Sequence, residues 1–76
     1  MKSVVEQVIK EAKDCLWQNT SMVLDVICER LCCEHGIDAT WKGRSVYIGN
    51  ERVASIETYK EAKDTVGIYR YKMIGG

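Results

Sequence analysis

Apolar and polar positions alternate along this chain with two periods, and the change falls at Gly36. Before it the period is helical. Val4, Val5, Val8, Ile9, Ala12, Cys15 and Leu16 recur at spacings of three and four, while Lys2, Glu6, Lys10, Glu11, Lys13 and Asp14 fill the other side. Ser3 with Glu6 has the form of a capping box, so a first helix is expected over 3–17. The next apolar stretch is denser. Met22, Val23, Leu24, Val26, Ile27, Cys28, Leu31, Cys32 and Cys33 leave only a narrow polar strip of Asp25, Glu29, Arg30 and Glu34. This predicts a second helix over 21–35, started by Thr20 or Ser21 and ended by a left-handed Gly36. A helix so apolar should be covered on at least two sides. Residues 18–21 read as a short turn between antiparallel helices. The helical phase also carries through them, so one helix over 3–34 stays open, about 48 Å long and requiring a dimer.

After Gly36 the period is two. Ile37, Ala39 and Trp41 alternate with Asp38, Thr40 and Lys42, which predicts a strand over 37–42. Gly43-Arg44 turns the chain into a second strand, 45–49, and Gly49-Asn50 is a Gly-first hairpin signal leading into a third, 51–58. A fourth strand is expected over 66–74. Residues 59–65 either prolong the hairpin or form one helical turn capped by Thr58 with Glu61. The order defines an α+β fold in one domain over 1–76: two N-terminal helices packed on one face of a three- to four-stranded antiparallel β-meander. Pairing through Gly49-Asn50 sets Tyr47 against Arg52 and Val46 against Val53.

Size then limits the function. A chain of 76 residues builds a small core and has little room for a walled pocket. Eleven basic residues balance eleven acidic ones, so bulk charge draws the protein toward neither nucleic acid nor membrane. Residues 1–36 hold four basic and six acidic side chains, net −2, and residues 37–76 hold seven and five, net +2. No apolar run is long enough for a membrane span, and the first residues lack a signal peptide's layout. A cytoplasmic protein with reduced cysteines is expected. The pentapeptide KEAKD occurs at 10–14 and at 60–64; its flanks differ, so it reads as coincidence. The ending Ile74-Gly75-Gly76 resembles that of ubiquitin-like modifiers over those residues alone. Such folds open on a β-hairpin and this chain opens on a helix, so no functional residue is carried over.

Three kinds of chemistry are in reach. Cys28, Cys32 and His35 stand at i, i+4 and i+7 and suit a soft metal, but Cys28 and His35 would lie about 10 Å apart along the axis. They are weak metal candidates, and core packing is the expected role of the cysteines. A Cys32–His35 nucleophile would sit at a helix C-terminus, whose dipole disfavours a thiolate. No enzyme and no cofactor is expected. The sheet offers more. Trp41, Tyr47, Arg52, Tyr69, Arg70 and Tyr71 are the candidate partner-binding residues, because tyrosine, tryptophan and arginine dominate protein interfaces. The leading expectation is a small non-catalytic protein-binding protein — a regulator, inhibitor or adaptor, mobile-element origin included — that also self-associates as a homodimer. The alternative is a nucleic-acid-binding module in which an exposed Tyr/Arg sheet face stacks bases. Against it, Lys42, Arg44, Arg52, Arg70 and Lys72 are interspersed with Glu51 and Glu57, the mixture of an ordinary solvated face.

Overall fold

A computed structural model describes residues 2–63 and 66–75. It contains two helices, α1 (Lys2–Lys13) and α2 (Thr20–His35), and four strands, β1 (Ala39–Lys42), β2 (Ser45–Ile48), β3 (Glu51–Glu61) and β4 (Tyr69–Gly75). The strands form one open antiparallel sheet in the order β1-β2-β3-β4. Both helices lie on the same face of it. α1 sits against β4 and α2 against β1 and β2, and the helices also touch each other. The α+β expectation therefore holds, with four strands and with two helices rather than one long one.

Each helix buries one stripe. Val5, Val8, Ile9 and Ala12 of α1 meet Val23, Leu24, Ile27 and Leu31 of α2, and Val46, Ala54, Ile56, Tyr71 and Met73 close the core from the sheet. Removing such a side chain from water stabilises by about 1.5–3 kcal/mol each, which is why this stripe, and not helix propensity, holds the helices in place. The expectation that α2 is covered on two sides is met by α1 on one flank and by β1 and β2 on the other. Its apolar circumference is not all buried. Met22 is 38% exposed, and Cys32 and Cys33 face solvent, so these thiols do not pack in the core as expected.

α1 ends at Lys13, short of the expected 17. The break follows from how its last carbonyls are satisfied. Ala12 O accepts from Cys15 N at 3.2 Å and from Trp17 Nε1 at 2.8 Å, which tightens the last turn and pulls the chain off the helix axis. Leu16 is left 48% exposed. Ser3 lies inside α1 and does not cap it, because the helix already includes Lys2. The cap of α2 also sits one residue earlier than expected. Asn19 is extended, with φ −159° and ψ 169°, and its side-chain oxygen accepts from Met22 N at 2.8 Å. At the other end Gly36 takes φ 66°, donates to Cys32 O at 3.0 Å, and is followed by Ile37 N donating to Leu31 O at 2.9 Å. This double bond pattern stops the helix where the hydrophobic period changes.

The strand expectations shift at their ends. β1 starts at Ala39, two residues later than expected, because residues 37–38 complete the helix stop. β2 ends at Ile48, and Gly49 turns the hairpin with φ 64°, the left-handed conformation a Gly-first turn requires. The expected Tyr47–Arg52 pair is present. Val46 faces Ala54, however, not Val53, because a bulge between these pairs adds Val53 as an extra residue. β3 runs on to Glu61, so the segment after Thr58 is a hairpin extension and not a helical turn. Ala62 N donates to Ile68 O at 2.7 Å and Gly67 N to the Glu61 carboxylate at 3.2 Å, closing that loop. β4 begins at Tyr69 rather than 66; Asp64 and Thr65, which the expected segment 59–65 includes, lie outside the described residues, as does Gly76. No helix among the described residues is long and apolar enough to cross a membrane.

Candidate functional site

Strand alternation assigns every sheet residue to a face, and burial says which face is covered. Val46, Ala54, Ile56, Tyr71 and Met73 are buried, so their strand neighbours point the other way. That opposite, open face carries Thr40, Tyr47 and Arg52 in one cross-strand row, then Lys42, Ser45, Ser55 and Ile74 in the next. Thr58 opposite Lys72 and Lys60 opposite Arg70 complete it along the β3–β4 hairpin. Five of these residues are cations: Lys42, Arg52, Lys60, Arg70 and Lys72. Among the described residues one carboxylate joins them, Glu57, which a second bulge in β3 brings within 3.8 Å of Lys72 Nζ. Glu51 pairs with Ile48, on the covered side of the alternation.

The helices carry the complementary charge. α1, α2 and the turn between them hold six of the chain's eleven acidic residues, including Glu11, which accepts from Arg30 at 3.0 Å and ties the helices together. A chain with no net charge is thus sorted into an acidic helical layer and a cationic open face. The middle of that face is neutral, formed by Tyr47, Ser45, Ser55 and the 49% exposed Ile74. A neutral centre ringed by charge is the layout of a protein interface.

The six candidate binding residues divide between the two faces. Tyr47, Arg52 and Arg70 are on the open face. Trp41, Tyr69 and Tyr71 are on the covered one. Trp41 lies beneath α2 and donates from Nε1 to Asp25 at 2.6 Å. Tyr69 is half-buried and Tyr71 is 4% exposed. Tyr71 belongs to a cluster with Tyr59 and Tyr69, ring centroids 5.3–6.3 Å apart. Burial pushes the Tyr71 phenol above its ordinary value, the neighbouring Tyr69 and Tyr59 rings act in the same sense, and the Arg44 guanidinium opposes them. Base stacking by Tyr47, Tyr69 and Tyr71 on one exposed surface is therefore not available.

Beside this cluster lies a cleft of about 420 Å³, framed by Lys13 and Asp14 at the end of α1 and by the Tyr59 and Tyr71 rings. Lys60, Arg70 and Lys72 border it too, but alternation directs their side chains to the open face. The cysteines do not converge with His35: Cys32 and His35 are exposed, Cys28 is half-buried, and among the described residues no three metal-ligating side chains come together. Burial, assisted by the Asp25 carboxylate, pushes the Cys28 thiol up from its ordinary 9.0 to about 11, so it is protonated at neutral pH and is a poor ligand or nucleophile.

Lys60 is the functional candidate that the sequence pattern alone misses, because residues 59–65 had two readings and only the strand reading aligns it with Arg70. Compared with known protein families, with curated proteins and with solved structures, the chain has no significant match.

Proposed function

We propose that this chain is a small non-catalytic binding protein, a regulator, inhibitor or adaptor, that acts by stoichiometric contact between its open sheet face and an acidic surface of a partner protein. The observation that carries this reading is the sorting of charge: five cations and one ion-paired carboxylate around a neutral strip on one face, with the acidic surplus on the other. Complementary charge of this kind speeds encounter and fixes orientation, while the central tyrosine and isoleucine supply the area that is desolvated on contact. The same reading takes the protein as self-associating and cytoplasmic, in keeping with its four free thiols.

A second reading has one observation in its favour. The cationic open face of a four-stranded sheet could track a phosphate backbone, and the balanced total charge no longer argues against this once the charge is seen to be sorted. It has a single aromatic, Tyr47, for base stacking.

One experiment separates them. The protein and an Arg52→Glu/Arg70→Glu variant, both checked for an unchanged melting curve, are used to capture partners from host lysate with and without nuclease. The protein-binding reading expects a stoichiometric partner that survives nuclease and is lost with the variant. Equal capture by the variant removes the open face from the reading. Loss of the captured material on nuclease treatment transfers it to nucleic acid.

A further inference from the structure

We propose that the open sheet face of one copy of this chain takes the outer side of α2 from a second copy, so that copies stack head to tail and occupy the same face that binds an outside partner. This rests on the self-association in the reading above and names both of its surfaces.

The fold leaves one side of α2 uncovered. α1 and the sheet bury Val23, Leu24, Ile27 and Leu31, and at helical spacing the residues opposite that stripe are Met22, Asp25, Val26, Glu29, Cys32 and Cys33. Met22 is 38% exposed, Val26 is half-buried, and both thiols face solvent. A helix that is apolar on its outside as well as its inside suits a position between two layers. Its charge is one-sided. Asp25, Glu29 and Glu34 are exposed, and its one lysine or arginine, Arg30, is engaged by Glu11 at 3.0 Å.

The open sheet face carries the opposite charge around a similar centre. Lys42, Arg52, Lys60, Arg70 and Lys72 surround Tyr47 and the exposed Ile74. A sheet face presents side chains and no free backbone groups, so a segment lying flat on it must satisfy its own N–H and C=O groups. A helix does this and an extended segment does not. The dimensions agree. The face is about 14 Å across its four strands and about 20 Å from the row of Arg52 to that of Lys60. α2, with 16 residues, is about 24 Å long and about 10–12 Å thick. A phosphate backbone would engage the cations but leave Ile74, Met22 and Val26 in water, whereas a second copy covers all three. The two surfaces lie on opposite layers of one molecule, so the contact is heterologous. A copy that donates its α2 keeps its own open face free, and the assembly grows past two.

The test is sedimentation equilibrium of the full chain at rising concentration, in low and in high salt. The wild type is expected to pass twice 8.7 kDa and to fall back toward 8.7 kDa in high salt, which screens the charges. Arg52→Glu/Arg70→Glu alters only the open face, and Glu29→Lys/Glu34→Lys alters only α2. Each is expected at 8.7 kDa with an unchanged circular dichroism spectrum. Mixed in equal amounts, the two variants hold one native α2 and one native open face between them, so the mixture is expected to reach twice 8.7 kDa and stop. A wild type that stays monomeric at millimolar concentration in low salt overturns the join and self-association, while capture of an outside partner from lysate, read separately, still stands. A wild type that stops at two copies, or a mixture that stays at 8.7 kDa, overturns the join alone. Should either variant not fold, alkylation of the wild-type thiols decides. Modification of Cys32 and Cys33 is expected to slow as concentration rises while that of the exposed Cys15 does not, and rates that ignore concentration overturn the join.

Discussion

Tyr47 and Tyr71 are the same residue type in the same sheet, yet one faces a neutral strip open to water and the other is sealed beneath helices. Around Tyr71 every neighbouring sheet side chain is apolar or aromatic: Ile56, Met73, Tyr59 and Tyr69. Around Tyr47 they are Thr40, Ser45 and Arg52. The covered face determines whether the chain folds, and the open face is left free to carry charge. Because strand side chains alternate, one backbone serves both purposes with neighbouring residues. A change on one face should therefore alter stability and its neighbour on the other should alter binding.

The sharpest contrast is between the two tyrosines. Tyr71→Ala should lose about 3–5 kcal/mol of stability through the cavity it leaves, whereas Tyr47→Ala should lose less than about 1 kcal/mol, both read from denaturant midpoints. Equal losses would mean that the faces are not divided as described. One residue pair further along β3, Ile56→Ala should lose about 2–4 kcal/mol and its neighbour Ser55→Ala should fall within about 0.5 kcal/mol of wild type. A thiol offers the same contrast by pH. The folded-state pKa of Cys28 is raised from 9.0 to about 11, so its contribution to stability is complete below about 9 and is lost as pH rises through about 11. Cys28→Ser should flatten that alkaline decline in thermal melts, and alkylation followed by mass spectrometry should find Cys28 modified after the exposed Cys32 and Cys33. The smallest effect is expected from Glu57→Gln. Its pair with Lys72 is solvent-exposed on the open face, so stability should change by less than about 0.5 kcal/mol. Affinity for an acidic partner should rise, because the face loses its only described carboxylate.

The order of elements was legible because the hydrophobic period changes at Gly36 and because Gly49-Asn50 is a strong local signal. The ends of elements were less so. Leu16 and Trp17 continue the apolar pattern of α1, but the chain leaves the helix there because Trp17 has a strand partner far along the sequence, which no local window contains. The cysteines on α2 count as apolar in any pattern, though Cys32 and Cys33 face water. The two copies of Lys-Glu-Ala show the limit most plainly. At 10–12 they lie within α1, and at 60–62 they end β3 and enter its turn, so tertiary pairing overrides the same local preference. In β4, strand alternation puts Tyr69 with Tyr71 on one face and Arg70 with Lys72 on the other. What alternation does not contain is which group the helices cover, since both faces of β4 carry large side chains. The bulges at Val53 and Glu57 shift the register and have no clear mark in the residues.

The bridge between Trp17 and Tyr69 ties the turn after the first helix to the last strand. Making this contact closes the whole intervening chain into one loop, at a cost in conformational entropy that slows folding. The loop so closed contains α2 and β1–β3, so the two ends of the described chain are fastened to each other as well as to the middle.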